Sequence, residues 1–189
     1  MQAERNRWLD LFRPDRMAES VVDVDPAALI ELGIEALLID LDNTLVPWHR
    51  YEVSDATLEW LRSVEARGMK VCFVSNTRYP GRLKILAEKL KVPFVKGRLK
   101  PRKSAFRPAL ELLNIAPERS AVIGDQVFTD ILGGNRLGLY TILVRPLSRR
   151  EFFGTKISRV FERLILRRLH CWDDREQSPD EGSQSKAEQ

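Results

Sequence analysis

Five short apolar runs punctuate the chain: ALLID (36–40), KVCFVS (70–75), PFVK (93–96), AVIGD (121–125) and YTILV (140–144). ALLID reads as a buried strand, KVCFVS, AVIGD and YTILV as further strands, and PFVK as a short one. Helix-period segments separate them. Ser54 is placed to cap a helix running to about Arg67, with Gly68 where that helix should end. Tyr79 to Leu90 is helical by period, as is Ser104 to Leu113, which stops near Asn114. A further helix follows AVIGD and runs to about Leu137. Upstream, Asp25-Pro26 opens a short capped helix over AALIEL, closed by Gly33. Strands alternating with helices of this length predict βαβ units and an α/β fold whose central parallel sheet is covered on both faces. No internal repeat is visible.

The length of 189 residues suits one domain with short appendages, and 43% hydrophobic with 31% charged residues is ordinary globular composition. No run of about 18 apolar residues is present to span a membrane. The first residues, MQAERNRWLDLFRPDRM, are charged throughout and do not read as a secretory leader. Two cysteines, Cys72 and Cys171, cannot make a disulfide framework, so a reducing cytoplasmic setting is expected, with Cys72 as core packing. Charge is uneven. Residues 173–189 carry six acids against two bases, net −4, which leaves +8 on the other 172 residues of a chain whose total is +4. That tail lacks the apolar content to order itself. The basic remainder suggests an anionic partner.

In open parallel sheets, ligands bind beyond the carboxyl ends of the strands. The polar residues expected there are Asp40 and Asp42 after the first run, Ser75 and Asn76 after the second, Lys100 after the third and Asp125 after the fourth. A carboxylate following a purely apolar strand is poorly solvated unless paired, and a divalent cation is its natural partner. Oxygen ligands with waters suit Mg²⁺. The only histidines are His49 and His170, which argues against zinc. These groups can transfer a phosphoryl group. Asp40 attacks phosphorus, Asp42 serves as acid and then base, and Mg²⁺, Ser75 and Lys100 offset charge on the equatorial oxygens.

IDLDNTLV (39–46), FVSNT (73–77), LKP (99–101) and VIGDQVFTD (122–130) resemble the four motifs of the haloacid dehalogenase (HAD) phosphatase superfamily, over roughly residues 34–146. The resemblance implies a three-layer Rossmann-like fold. It makes Asp40 nucleophile and metal ligand, and Asp42 acid/base with its backbone carbonyl on the metal. Ser75, with Asn76 beside it, and Lys100 become phosphate-binding, Asp125 a metal ligand and Asp130 a support of the metal site. Thr44 fits the phosphatase branch. Lys96 and Lys103 are alternatives for the lysine role, but Lys100 is preferred because Pro101 follows it, as in the family. A narrower resemblance, over about residues 12–170, is to the YqeG-type (class IIIA) HAD phosphatases. These are similar to the mitochondrial phosphatidylglycerophosphatases.

Spacing bears on substrate. Between Asp42 and Ser75 lie 32 residues, and between Lys100 and Asp125 lie 24. One helix takes a large part of the first gap and most of the second, which leaves no room for a large cap domain and predicts an open site. A short flap remains, Val46 to Tyr51, in which Trp48 either packs on the domain or lines the entrance. The segment Lys156 to Leu169 places Ile157, Val160, Phe161, Leu164 and Ile165 on one helical stripe among basic residues. It either packs on the domain or lies on an anionic membrane. No recognition motif supports nucleic acid as a partner.

The sequence therefore divides into a helical lead-in (1–33), a catalytic core (34–146), a basic amphipathic helix (147–172) and an acidic tail (173–189). The activity expected is that of a cytoplasmic, Mg²⁺-dependent HAD phosphatase, with peripheral membrane contact if the basic helix binds lipid. Phosphatidylglycerophosphate is the substrate implied by resemblance. The alternatives are a soluble phosphate ester or nucleotide, or a HAD scaffold that binds ribosome, RNA or protein.

Overall fold

The computed structural model describes residues 9–48, 50–76, 80–96 and 105–148. Among these, six parallel strands form one sheet: β1 (Arg16–Ala18), β2 (Ala36–Ile39), β3 (Lys70–Ser75), β4 (Phe94–Lys96), β5 (Ser120–Gly124) and β6 (Tyr140–Val144). Their spatial order is β1-β6-β5-β2-β3-β4, so β2 and β5 lie at the centre. The helices are α1 (Pro26–Glu31), α2 (Asp55–Ala66), α3 (Pro80–Leu90), α4 (Arg107–Leu113) and α5 (Leu132–Leu137).

Alternation along each strand divides the apolar residues between two layers. Leu37, Ile39, Val71, Phe73 and Ile123 face a core shared with Leu29, Trp60, Val64, Leu83 and Leu86. Leu38, Cys72, Val74 and Val122 face the opposite core, with Phe106, Ala109 and Leu110. This is the three-layer arrangement expected, and no cap domain is inserted among the described residues between β2 and β3. The Ser54 hydroxyl accepts from the Thr57 amide at 3.2 Å and starts α2, as its position suggests. Asp25 caps α1 by accepting from the Ala27 amide at 2.9 Å.

Two features differ from the sequence expectation. The lead-in is not only helical, because Arg16–Ala18 adds a parallel edge strand beside β6. It is held there by Asp15, whose Oδ2 accepts from the Thr141 amide at 2.7 Å and the Thr141 hydroxyl at 2.9 Å. The helix expected after AVIGD begins instead as a π-helical turn, Val127–Ile131, before α5. The basic segment 156–169 and the acidic tail lie outside the described residues.

Candidate active site

β2 and β5 run side by side in register, with Ile39 level with Ile123. The Asp40 amide donates to the Ile123 carbonyl at 2.9 Å. Asp40 therefore follows β2 level with Gly124, and Asp125 stands one residue beyond the end of β5. Asp40 is 7% exposed, and Asp125 and Asp130 are 1% exposed. Three carboxylates buried at one sheet edge require donors or positive charge to hold them there.

The chain turns back directly after Asp40. The Leu45 and Val46 amides both donate to the Leu41 carbonyl at 3.2 Å, and the Asn43 amide donates to the Val46 carbonyl at 2.8 Å. Asn43 has φ +62°, a left-handed conformation that asparagine adopts more readily than most residues. Its Oδ1 accepts from the Trp48 amide at 3.2 Å and fixes the exit of the turn. Two side chains are aimed by this loop. The Thr44 hydroxyl, buried, donates to Asp125 Oδ1 at 3.4 Å and links the β2 loop to β5. Asp42 reaches the other way, toward β3, where the Ser75 hydroxyl donates to its Oδ2 at 3.5 Å.

On the β5 side, Asp130 comes from the π-helical turn. Its Oδ2 accepts from the Gln126 amide at 3.2 Å, and its own amide donates to the Gln126 carbonyl at 2.9 Å. It lies so close to β5 that a β-carbon on Gly124 would stand 2.3 Å from Asp130 Cγ. The glycine before Asp125 is thus a packing requirement for Asp130.

The described site residues come together: Asp40, Asp42, Ser75, Asp125 and Asp130 all belong to this edge. Asn76 follows Ser75 and is exposed, and Lys96 ends β4, also exposed. Lys100, Lys103 and His49 lie outside the described residues. Trp48 is half-buried. Burial pushes the Cys72 thiol up to about 12, so it stays protonated inside the sheet and offers no competing nucleophile.

Arg82 belongs to none of the four motifs, yet it is 5% exposed and forms an ion pair with the Asp42 carboxylate. Its Nε donates to the Arg50 carbonyl at 2.9 Å and its Nη2 to the Pro47 carbonyl at 3.1 Å. The Tyr51 ring lies 5.8 Å from the guanidinium carbon. A signal was present. Buried positions on α3 recur as Arg82-Leu83 and Leu86-Ala87, and an arginine on the buried stripe of a helix needs an anion to meet it.

The donor set suits a hard cation. Asp40 and Asp125 offer carboxylate oxygens from adjoining strand ends, and the Asp42 carbonyl belongs to the turn directly after Asp40. Among the described residues, no three acidic, histidine or cysteine side chains are arranged to hold a metal by themselves. Two carboxylates completed by a carbonyl and waters match the way Mg²⁺ is bound.

Residues 98–146 match the HAD-hydrolase-like family model. Over 158 residues the chain is 39% identical to the Probable phosphatase YqeG of Bacillus subtilis, covering 84% of this chain and 91% of that one. The chain belongs to the YqeG-type phosphatases of the HAD superfamily. It is also 27% identical over 157 residues to the chloroplastic/mitochondrial Phosphatidylglycerophosphate phosphatase 1 of Arabidopsis thaliana. That match covers 79% of this chain and 44% of the plant protein, so this HAD chain spans less than half the plant protein's length. An uncharacterized protein from Listeria monocytogenes shares the fold, with TM-score 0.50 at 19% identity over 71% of this chain and 99% of the other. HAD phosphatases generally use a divalent metal. No helix among the described residues is long and apolar enough to cross a membrane.

Proposed function

We propose that this HAD chain is a Mg²⁺-dependent phosphomonoesterase working through an aspartyl-phosphate on Asp40. The observation that carries the reading is the burial of Asp40 and Asp125 at adjoining strand ends, with Asp42 held two residues further on. Asp40 Oδ attacks phosphorus while the bond to the leaving oxygen breaks, and the Asp42 carboxyl gives its proton to that oxygen. Asp42, now ionised, takes a proton from water as the water oxygen attacks phosphorus. The bond to Asp40 then breaks, releasing phosphate. The Ser75 hydroxyl, Asn76 and Lys100 bind the phosphoryl oxygens. Asp40, Asp125 and the Asp42 carbonyl would hold Mg²⁺, with Asp130 bracing the loop behind. When bound, the cation neutralises charge that builds on the phosphoryl oxygens.

Phosphatidylglycerophosphate is the substrate we favour. The plant relative supports it, as do the basic surplus of the chain outside its tail and a β2–β3 connection with no cap inserted. In this reading the enzyme is cytoplasmic, residues 34–146 form the catalytic core, and the basic segment 147–172 either packs on the domain or meets an anionic bilayer. The deciding experiment measures phosphate release from 4-nitrophenyl phosphate, from phosphatidylglycerophosphate in mixed micelles, and from glycerol phosphate and nucleotides. Turnover of the aryl ester should need Mg²⁺, stop with EDTA and be blocked by Ca²⁺, whose longer bonds and higher coordination number misplace the nucleophile. Activity that survives exhaustive chelation overturns the metal assignment. A preference for soluble esters over the lipid overturns the substrate.

A further inference from the structure

The proposed chemistry uses Asp42 but leaves Arg82 without a part. Arg82 sits in the first turn of α3 and is buried where an uncompensated guanidinium would be costly. Its planar fork meets three acceptors from the β2 loop and the segment just beyond it: the Asp42 carboxylate, the Pro47 carbonyl and the Arg50 carbonyl. The Tyr51 ring lies beside it. Asp42, on a loop, must keep a fixed direction: Arg82 meets its Oδ1, so the proton that it passes to the leaving oxygen is carried on Oδ2, and the ionised carboxylate that remains is the form the ion pair holds. The hydroxyl contact from Ser75, at 3.5 Å, is long for an O–H donor. The charge-assisted contact with Arg82 is the strong one. A lysine could not reproduce it, because three acceptors at three directions need the arginine fork.

We infer that Arg82 is the positioning residue of Asp42, and that the same guanidinium ties this carboxylate to the backbone at Pro47 and Arg50. This rests on the phosphatase reading for its catalytic half. The backbone half is testable without any activity.

The catalytic half is tested by a cycle of wild type, Arg82→Met, Asp42→Asn and the double variant, each assayed on 4-nitrophenyl phosphate and on an alkyl phosphate. Proton donation matters most for the poorer leaving group. Arg82→Met should therefore lower kcat on the alkyl ester by about ten- to a hundredfold, lower it only a few-fold on the aryl ester, and leave KM nearly unchanged. In the Asp42→Asn background the same change should cost nothing further, since the group it positions is gone. Arg82→Lys keeps the charge in a variant closer to wild type, and should recover part of the alkyl-ester rate. Equal losses on both esters, or a full additional loss beyond Asp42→Asn, overturn the proposal.

The backbone half is read by mass spectrometry after limited trypsin digestion. The Arg50–Tyr51 bond should be cut faster in Arg82→Met and Arg82→Lys than in wild type, because the Arg50 carbonyl loses its donor. Unchanged cutting at that bond overturns the tie. A wild type inactive on both esters defeats the phosphatase reading, and with it the catalytic half, while the digestion still decides the other.

Discussion

The two ends of the same central strands are built by different rules. At the amino end of β2, β3 and β5, backbone groups satisfy one another: the Glu35 amide donates to the Arg119 carbonyl at 2.8 Å, and the Lys70 amide to the Glu35 carbonyl at 2.9 Å. Charge there stays wet, as in the exposed Arg119–Glu35 ion pair. The carboxyl end buries Asp40, Arg82, Asp125 and Asp130. The amino end closes the same sheet with its charges exposed. Burying ionised groups is costly and a folded chain retains them only where something else requires them. The difference separates what holds the sheet together from what the sheet presents.

The sharpest way to break this comparison is Asp40→Asn. The change is nearly isosteric, so the strand and its amide bond to Ile123 stay in place. It removes the proposed nucleophile and weakens the metal site. Turnover of an aryl phosphate should fall by more than about a thousandfold, while the circular dichroism spectrum and thermal midpoint stay close to wild type. A variant retaining more than a few per cent of the rate would remove Asp40 from the nucleophile role. A variant that fails to fold would show that the buried carboxylate is structural, and the contrast between the two ends would collapse.

Glycines sharpen the contrast next. Gly124 is required by proximity, because a β-carbon there would lie 2.5 Å from Asp130 Cβ, an atom that cannot swing aside without moving the turn. Gly68, at the end of α2, has φ +77° and nothing within 4 Å of where a β-carbon would stand. Gly124→Ala should cost about 1–3 kcal/mol as overpacking and lower kcat at least about tenfold by displacing Asp130. Gly68→Ala should cost about 1–2 kcal/mol from its left-handed backbone and leave kcat unchanged. Urea unfolding paired with aryl-phosphate kinetics reads both. A Gly124→Ala enzyme of normal kcat would show that Asp130 does not support the site.

How far the sequence reveals each end depends on the same physics. The central strands were legible because parallel strands buried on both faces need unbroken apolar runs. Asp40 and Asp125 were legible because a carboxylate directly after such a run has no ordinary packing reason to be there. β1 was not legible. Its three residues, Arg16, Met17 and Ala18, are half-exposed, and their strand character comes from pairing with β6. The π-helical turn looks like plain helix in the sequence because periodicity over five residues cannot tell the two apart. Arg82 does not stand out in the sequence because a helical arginine ordinarily marks the solvated face. Its partners are 32 to 40 residues away in sequence, so only the folded chain brings them together.

Asn43 tests whether the β2 loop is shaped by its own turn or by the carboxylates around it. Asn43→Ala keeps the positive φ at a cost of about 1–2 kcal/mol and leaves the Trp48 amide without its acceptor. Asn43→Gly removes the strain and loses only that bond, so about 1 kcal/mol or less is expected. Stability should therefore rank wild type, then glycine, then alanine, in chemical denaturation. Alanine matching glycine would mean the left-handed backbone is set by the neighbours rather than by residue 43.

The smallest effect is expected at the amino end, and it completes the comparison. Glu35 and Arg119 pair across the starts of β2 and β5, with side chains 41% and 58% exposed. Water screens such a pair, and holding two long side chains in one geometry costs entropy, so exposed pairs contribute within about 1 kcal/mol. The strand starts do not depend on it, because the Glu35 amide bonds to the Arg119 carbonyl whatever the side chains are. Glu35→Gln and Arg119→Gln, singly and together, should shift the urea midpoint little, and less still at high salt. Neither should change kcat or KM. The loss of a charge at this end is thus expected to leave both fold and turnover intact, whereas the loss of one at Asp40 leaves the fold and removes the turnover. A double-mutant coupling above about 1 kcal/mol, or any fall in kcat, would show that the amino end also depends on its charges and that the two ends do not obey separate rules.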